Sequence, residues 1–74
     1  MIDLEYSRYM TELLMDNRLT EKLRSRRFDA LRKMRGLTAQ YEEEGFLPEL
    51  VETVFCKKAD FIMKAKTKTE LEEI

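Results

Sequence analysis

The chain has 74 residues, of which 39% are charged, with 15 acidic and 14 basic side chains, one cysteine, no histidine, two glycines and one proline. That length gives one small domain, 1–74, whose core is only marginally sufficient alone, so self-association is expected to supply missing burial. The lone Cys56 excludes an internal disulfide, the lack of histidine removes the commonest general base and zinc ligand, and no apolar run suits a signal-peptide core or a membrane span, so the expected location is cytoplasmic.

The first helix is expected over residues 3–15, with Asp3 as its cap and an apolar face of Ile2, Tyr6, Tyr9 and Leu13, widened by Met10 and Leu14. Residues 16–19 read as a turn, because Asp16 and Asn17 can bond local backbone. Thr20 then caps a second helix whose seam runs through Leu23, Arg27, Ala30, Met34, Leu37 and Tyr41. This seam passes Gly36 without a change of phase. An interior glycine costs only about 1 kcal/mol relative to alanine, so one continuous helix over 20–44, about 37 Å long, is expected. The alternative is a break at Gly36 with Thr38 recapping.

Gly45 suits a left-handed C-terminal cap and Pro48 the first turn of the next helix. The third helix is expected over 48–66, with a seam of Leu47, Val51, Val54, Lys58, Phe61 and Ala65, and with Leu50, Phe55 and Ile62 alongside. Thr67 with Glu70 has capping-box spacing, as does Thr69 with Glu72, so a short last helix carrying Leu71 and Ile74 follows. No stretch alternates as a strand would. The expected architecture is all-α: a small helical bundle of three main helices, an antiparallel hairpin with one long central helix, plus a short C-terminal helix.

The net charge of −1 conceals strong segregation. Residues 1–16 sum to −3, 17–35 to +6, 36–56 to −5, 57–68 to +4 and 69–74 to −3. Such alternation suits helices that neutralise one another, whereas a dedicated nucleic-acid binder usually leaves a basic surplus. The segment 18–35 nevertheless places cations in the opening turns of a helix, where the backbone dipole repels them. Two internal remedies fit. An antiparallel first helix would bring Glu12 and Asp16 near Arg18 and Lys22, and Asp3 and Glu5 towards Arg32 and Arg35. Two copies paired head to tail would set each basic half against the other's Glu42, Glu43 and Glu44. An external polyanion is the third, and its reachable cations would be Lys22, Arg26, Arg27 and Lys33.

Arg27 and Lys58 fall at core-type positions, where a charge must reach solvent along its stem or act as a register and oligomer-specificity device. In the hairpin Arg27 would lie near Tyr9, within range of a cation–π contact. Phe28 lies off the seam among arginines, so Arg24, Phe28, Arg32 and Arg35 form the candidate partner-facing cluster. Cys56, Ala59 and Met63 mark a weak second packing face. The carboxylate runs diverge by 100° per residue and do not converge on an ion or substrate. No metal, cofactor or small-molecule substrate is expected, and no enzymatic activity. The expected function is that of a non-enzymatic accessory or adaptor protein, a homodimer that acts on a protein partner. The alternative is a nucleic-acid-binding regulator using residues 18–35.

Overall fold

The computed structural model describes residues 2–72 and contains four helices, α1 (Ile2–Met15), α2 (Glu21–Glu43), α3 (Pro48–Lys64) and α4 (Lys68–Glu72), with no strand among the described residues. Their ends follow local chemistry. In the turn after α1 the Arg18 N–H donates to the Asp16 carboxylate at 2.9 Å. The Thr20 hydroxyl accepts from the Leu23 N–H at 3.2 Å and caps α2. At the other end Gly45 takes φ 93°, the Gly45 N–H donates to the Glu42 carbonyl and the Phe46 N–H to the Tyr41 carbonyl, both at 3.1 Å. This is the closure a left-handed glycine permits, and the Tyr41 and Phe46 rings pack edge to face across it at 5.5 Å.

Pro48 opens α3, and Ala65 stops it by turning extended at ψ 134°. The third helix is therefore two residues shorter than expected. The reciprocal cap of α4 forms as its sequence predicts: the Glu70 N–H donates to the Thr67 hydroxyl at 3.2 Å, and the Glu70 carboxylate accepts from the Thr67 N–H at 3.2 Å. Ile74 lies outside the described residues. The first helix begins at Ile2, so Asp3 sits in its first turn and is not its cap.

α1 and α2 pack antiparallel, pinned at one end by Arg35 and Asp3 at 2.7 Å. α3 returns antiparallel to α2 and so runs alongside α1 in the same direction: Tyr6 and Tyr9 both meet Phe55 edge to face, and the Tyr9 hydroxyl donates to Asp60 at 2.7 Å. α4 lies across α2, where it buries Leu71. The core comprises Ile2, Tyr9 and Leu13 of α1, Ala30, Leu31 and Met34 of α2, Val51, Phe55, Ala59 and Ile62 of α3, then Ala65 and Leu71. Each large apolar side chain removed from water contributes about 1.5–3 kcal/mol, and Phe55, Leu13, Leu31 and Ile62 are sealed completely.

α2 is continuous through Gly36, as its seam predicts. A Cβ built on Gly36 meets nothing within 4 Å, and the residue is exposed. Gly36→Ala is thus expected to raise stability by about 0.5–1 kcal/mol, since it removes unfolded-state freedom without a clash. Urea unfolding followed by circular dichroism measures this, and an unchanged midpoint would refute it.

The phases of the buried faces differ from the sequence expectation. On α2 the stripe includes Leu31 and Thr38, while Tyr41 is exposed. Thr38 tolerates full burial because its hydroxyl donates to carbonyls of its own helix, Met34 at 3.1 Å and Arg35 at 2.9 Å. On α3 the buried residues are Val51, Phe55, Ala59 and Ile62, and the residues expected in the seam, Leu47, Val54, Lys58 and Phe61, face outward. Lys58 is accordingly no core residue. Leu14 is likewise exposed on α1.

Candidate interaction surfaces

Two arginines of the basic segment are held by the ends of other helices. α1 has no basic residue in its last turn. Its terminal carbonyls are served instead by Arg24 of α2, whose guanidinium donates to the Leu13 carbonyl and, at 2.9 Å, to that of Asp16. One turn further along, the buried Arg27 donates from Nε and a terminal nitrogen to the carbonyl of Ala65, at 3.1 and 2.8 Å, where α3 ends. Both neighbours run antiparallel to α2, so their negative dipole ends lie beside its first turns and compensate the cations there. The charge that opposes α2's own dipole complements two others.

Arg27 therefore neither snorkels to solvent nor stacks on Tyr9. The cation over the Tyr9 ring is Arg8, 4.4 Å from its centroid. Burial pushes the Arg27 guanidinium below its ordinary value, and no carboxylate among the described residues forms an ion pair with it. With its donors turned inward it is withdrawn from any phosphate.

In the cluster expected to face a partner, Arg24 is anchored on carbonyls, Arg35 pairs with Asp3 and, at 3.4 Å, with Glu42, and Arg32 pairs with Asp29 at 2.8 Å. Phe28 is half-buried against the core. Arg18 pairs with Asp16 at 3.3 Å, and Glu5 and Glu12 both bind Arg8 within their own helix. Of the hairpin contacts expected, the one at Asp3 and Arg35 forms. Among the described residues Lys22, Arg26 and Lys33 have no ion-pair partner. Arg26 and Lys33 line a shallow cleft of about 240 Å³ together with Asp29, and with Lys68, Leu71 and Glu72 of α4.

Cys56 is half-buried against the core beside Ala59 and Met63. Burial, and then the carboxylates of Glu5, Glu52 and Asp60, push its thiol up, so it stays protonated near neutrality and is a poor nucleophile. Tyr9 is a second perturbed group: burial and then its hydrogen bond to Asp60 push the phenol up to about 12. The fold favours the neutral ring, so this contribution is complete below the unfolded value of about 10 and is lost as pH rises through about 12. Tyr9→Phe is expected to cost about 1–2 kcal/mol at neutral pH and to flatten the alkaline loss. Unfolding curves at several alkaline pH values test this, and equal slopes for both proteins would refute it.

A second free surface is apolar. Leu47, Leu50, Val54 and Phe61 line the outer face of α3, and Tyr41 and Phe46 adjoin them from the end of α2. Leu50 is 57% exposed and Phe46 53%. Tyr41, Phe46, Leu50, Val51 and Val54 enclose an open groove of about 300 Å³. Sequence periodicity found these residues but assigned most of them to the core. The available signal was that α3 carries two adjoining apolar stripes, more than α1 and α2 can cover.

These features define a small all-α bundle with an unpartnered apolar face on α3 and a modest basic edge. Comparison with known protein families, with curated proteins and with solved structures finds no match. No described helix is long and apolar enough to cross a membrane, and no three His, Cys, Asp or Glu side chains of the described residues are grouped as a metal site would need.

Proposed function

We propose that the chain is a non-enzymatic accessory protein of the cytoplasm that acts by macromolecular docking and self-association. The observation that carries this reading is the exposed apolar surface of Tyr41, Phe46, Leu47, Leu50, Val54 and Phe61, beside a core already closed by other residues. Contiguous exposed apolar groups on a small soluble domain mark interaction sites, and a groove beside a helix suits an incoming amphipathic helix. Selection of random helical peptides against the immobilised full chain tests the reading. Peptides recovered on the wild type should bind Leu50→Glu at least about tenfold more weakly and Lys33→Glu unchanged. Recovery of no binder by a chain that also stays monomeric, or only of binders indifferent to Leu50→Glu, overturns it.

A second reading, a nucleic-acid-binding regulator, is favoured by one observation: Lys22, Arg26 and Lys33 lie along one edge of α2 without ion-pair partners among the described residues, with Lys68 nearby. Phosphate contacts of this kind are salt-dependent and largely sequence-blind. Retention on immobilised DNA or RNA at low salt that disappears in Arg26→Glu, Lys33→Glu would establish it. Flow-through at low salt would discard it. The net charge of −1 and the inward turn of Arg27 favour the docking reading.

A further inference from the structure

We infer that the helix seated on the outer face of α3 is α3 of a second copy of this chain, packed antiparallel about a twofold axis at Val54; this rests on the reading of that face as an interface. The pattern is self-complementary. Leu47 and Phe61 lie seven residues on either side of Val54, so antiparallel pairing sets Val54 on its equivalent and Leu47 against Phe61 of the other copy. Spacing by sevens keeps Val54 and Phe61 on one stripe of α3, and Leu47 extends the pattern from the residue that caps its N-terminal end. In the same register Leu50 meets Lys58, whose methylene stem covers apolar surface while its ammonium stays in water.

Charge selects this orientation over the parallel one. The acidic run Glu42, Glu43 and Glu44 precedes the N-terminal end of α3, and Lys57, Lys58 and Lys64 occupy the outward C-terminal half, with Lys66 just beyond. Glu43 and Glu44 close α2 across the Gly45 turn from the start of α3, so they stand at the end of α3 opposite to Lys64. A twofold axis at Val54 brings each acidic end to the other copy's basic end, whereas parallel pairing would stack like charges. Antiparallel alignment also opposes the two helix dipoles favourably.

The face is one 17-residue helix with two flanking aromatics, so the interface is at the small end of the specific range, below about 800 Å² per partner. Dimerisation is accordingly concentration-dependent.

Sedimentation of the full chain from about 10 μM to about 1 mM should show monomer passing to dimer, with Val54→Glu monomeric throughout and its helical circular dichroism intact. Cysteine cross-linking in a Cys56→Ser background fixes the orientation. Val54→Cys should link to itself under mild oxidation. Leu47→Cys should not, but should link to Phe61→Cys when the two are mixed. A monomer at the highest concentration overturns the inference, as does Leu47→Cys linking to itself as readily as Val54→Cys. A monomer whose selected peptides still depend on Leu50 would end the inference and leave the docking reading standing. A monomer without such peptides would end both.

Discussion

Phe55→Ala is expected to lower stability by about 3–5 kcal/mol, the range for deleting a fully buried aromatic side chain. A chain of this length has a total of about 4–11 kcal/mol by the usual per-residue range, so the loss takes a large share of it. Phe55 is 0% exposed and receives the edges of both Tyr6 and Tyr9, at 6.3 and 6.2 Å. Its removal empties the junction between α1 and α3, and Tyr9 cannot swing into the gap without breaking its bond to Asp60. Phe61→Ala, on the same helix but 41% exposed, should cost no more than about 1.5 kcal/mol. Thermal unfolding of the pair reads out the phase of α3 directly. Equal losses at the two positions would mean that α3 is rotated from the orientation described.

That comparison falls where sequence reasoning and structure diverge. The helix boundaries set by short-range chemistry were legible, with Thr20 three residues before Leu23, Gly45 before Pro48, and Thr67 three residues before Glu70, whereas the start of α1 and the end of α3 were not. The antiparallel hairpin was legible because its turn is short and because Asp3 and Arg35 sit at its open end. The face of α3 was not legible. Its apolar residues span about half the helix circumference, from Leu50 and Val54 round to Phe55 and Ala59, and periodicity locates that arc without saying which part meets other helices. α1 and α2 cover the side bearing Phe55, and the side bearing Val54 is left over.

The basic segment shows a related limit. Charge arithmetic between side chains anticipated compensation of the cations within the molecule or by a partner, and internal compensation forms for Arg24, Arg27, Arg32 and Arg35 but, among the described residues, not for Lys22, Arg26 and Lys33. It assigned the compensation to carboxylates, whereas Arg24 and Arg27 bind backbone carbonyls. A carbonyl acceptor is present at every helix end and leaves no mark in the sequence. The partner of Arg27 is 38 residues away, at a helix end whose position beside α2 is a product of tertiary packing.

Arg27→Leu is expected to destabilise the fold by about 1–3 kcal/mol, against the common outcome that replacing a buried charge by an apolar group is neutral or stabilising. Two effects oppose each other. Removing the guanidinium relieves its desolvation, which is the cause that holds its ionisation below the ordinary value. Removing it also leaves the Ala65 carbonyl, which accepts both donors from Arg27 in a buried setting, without its partner and opens space around the shorter side chain. The second effect wins because the donor pair is charge-assisted and lies at the negative end of α3, where a cation is favoured. Arg27→Lys keeps the charge but cannot reproduce the forked geometry, so it should recover only part of the loss. Since arginine remains protonated throughout the accessible range, the deficit should be independent of pH, unlike that of Tyr9→Phe. Amide exchange should also accelerate first around Ala65 and α4, the segment that Arg27 ties to α2. Stability at or above wild type for Arg27→Leu would show that the carbonyl finds another donor and that the fork is dispensable.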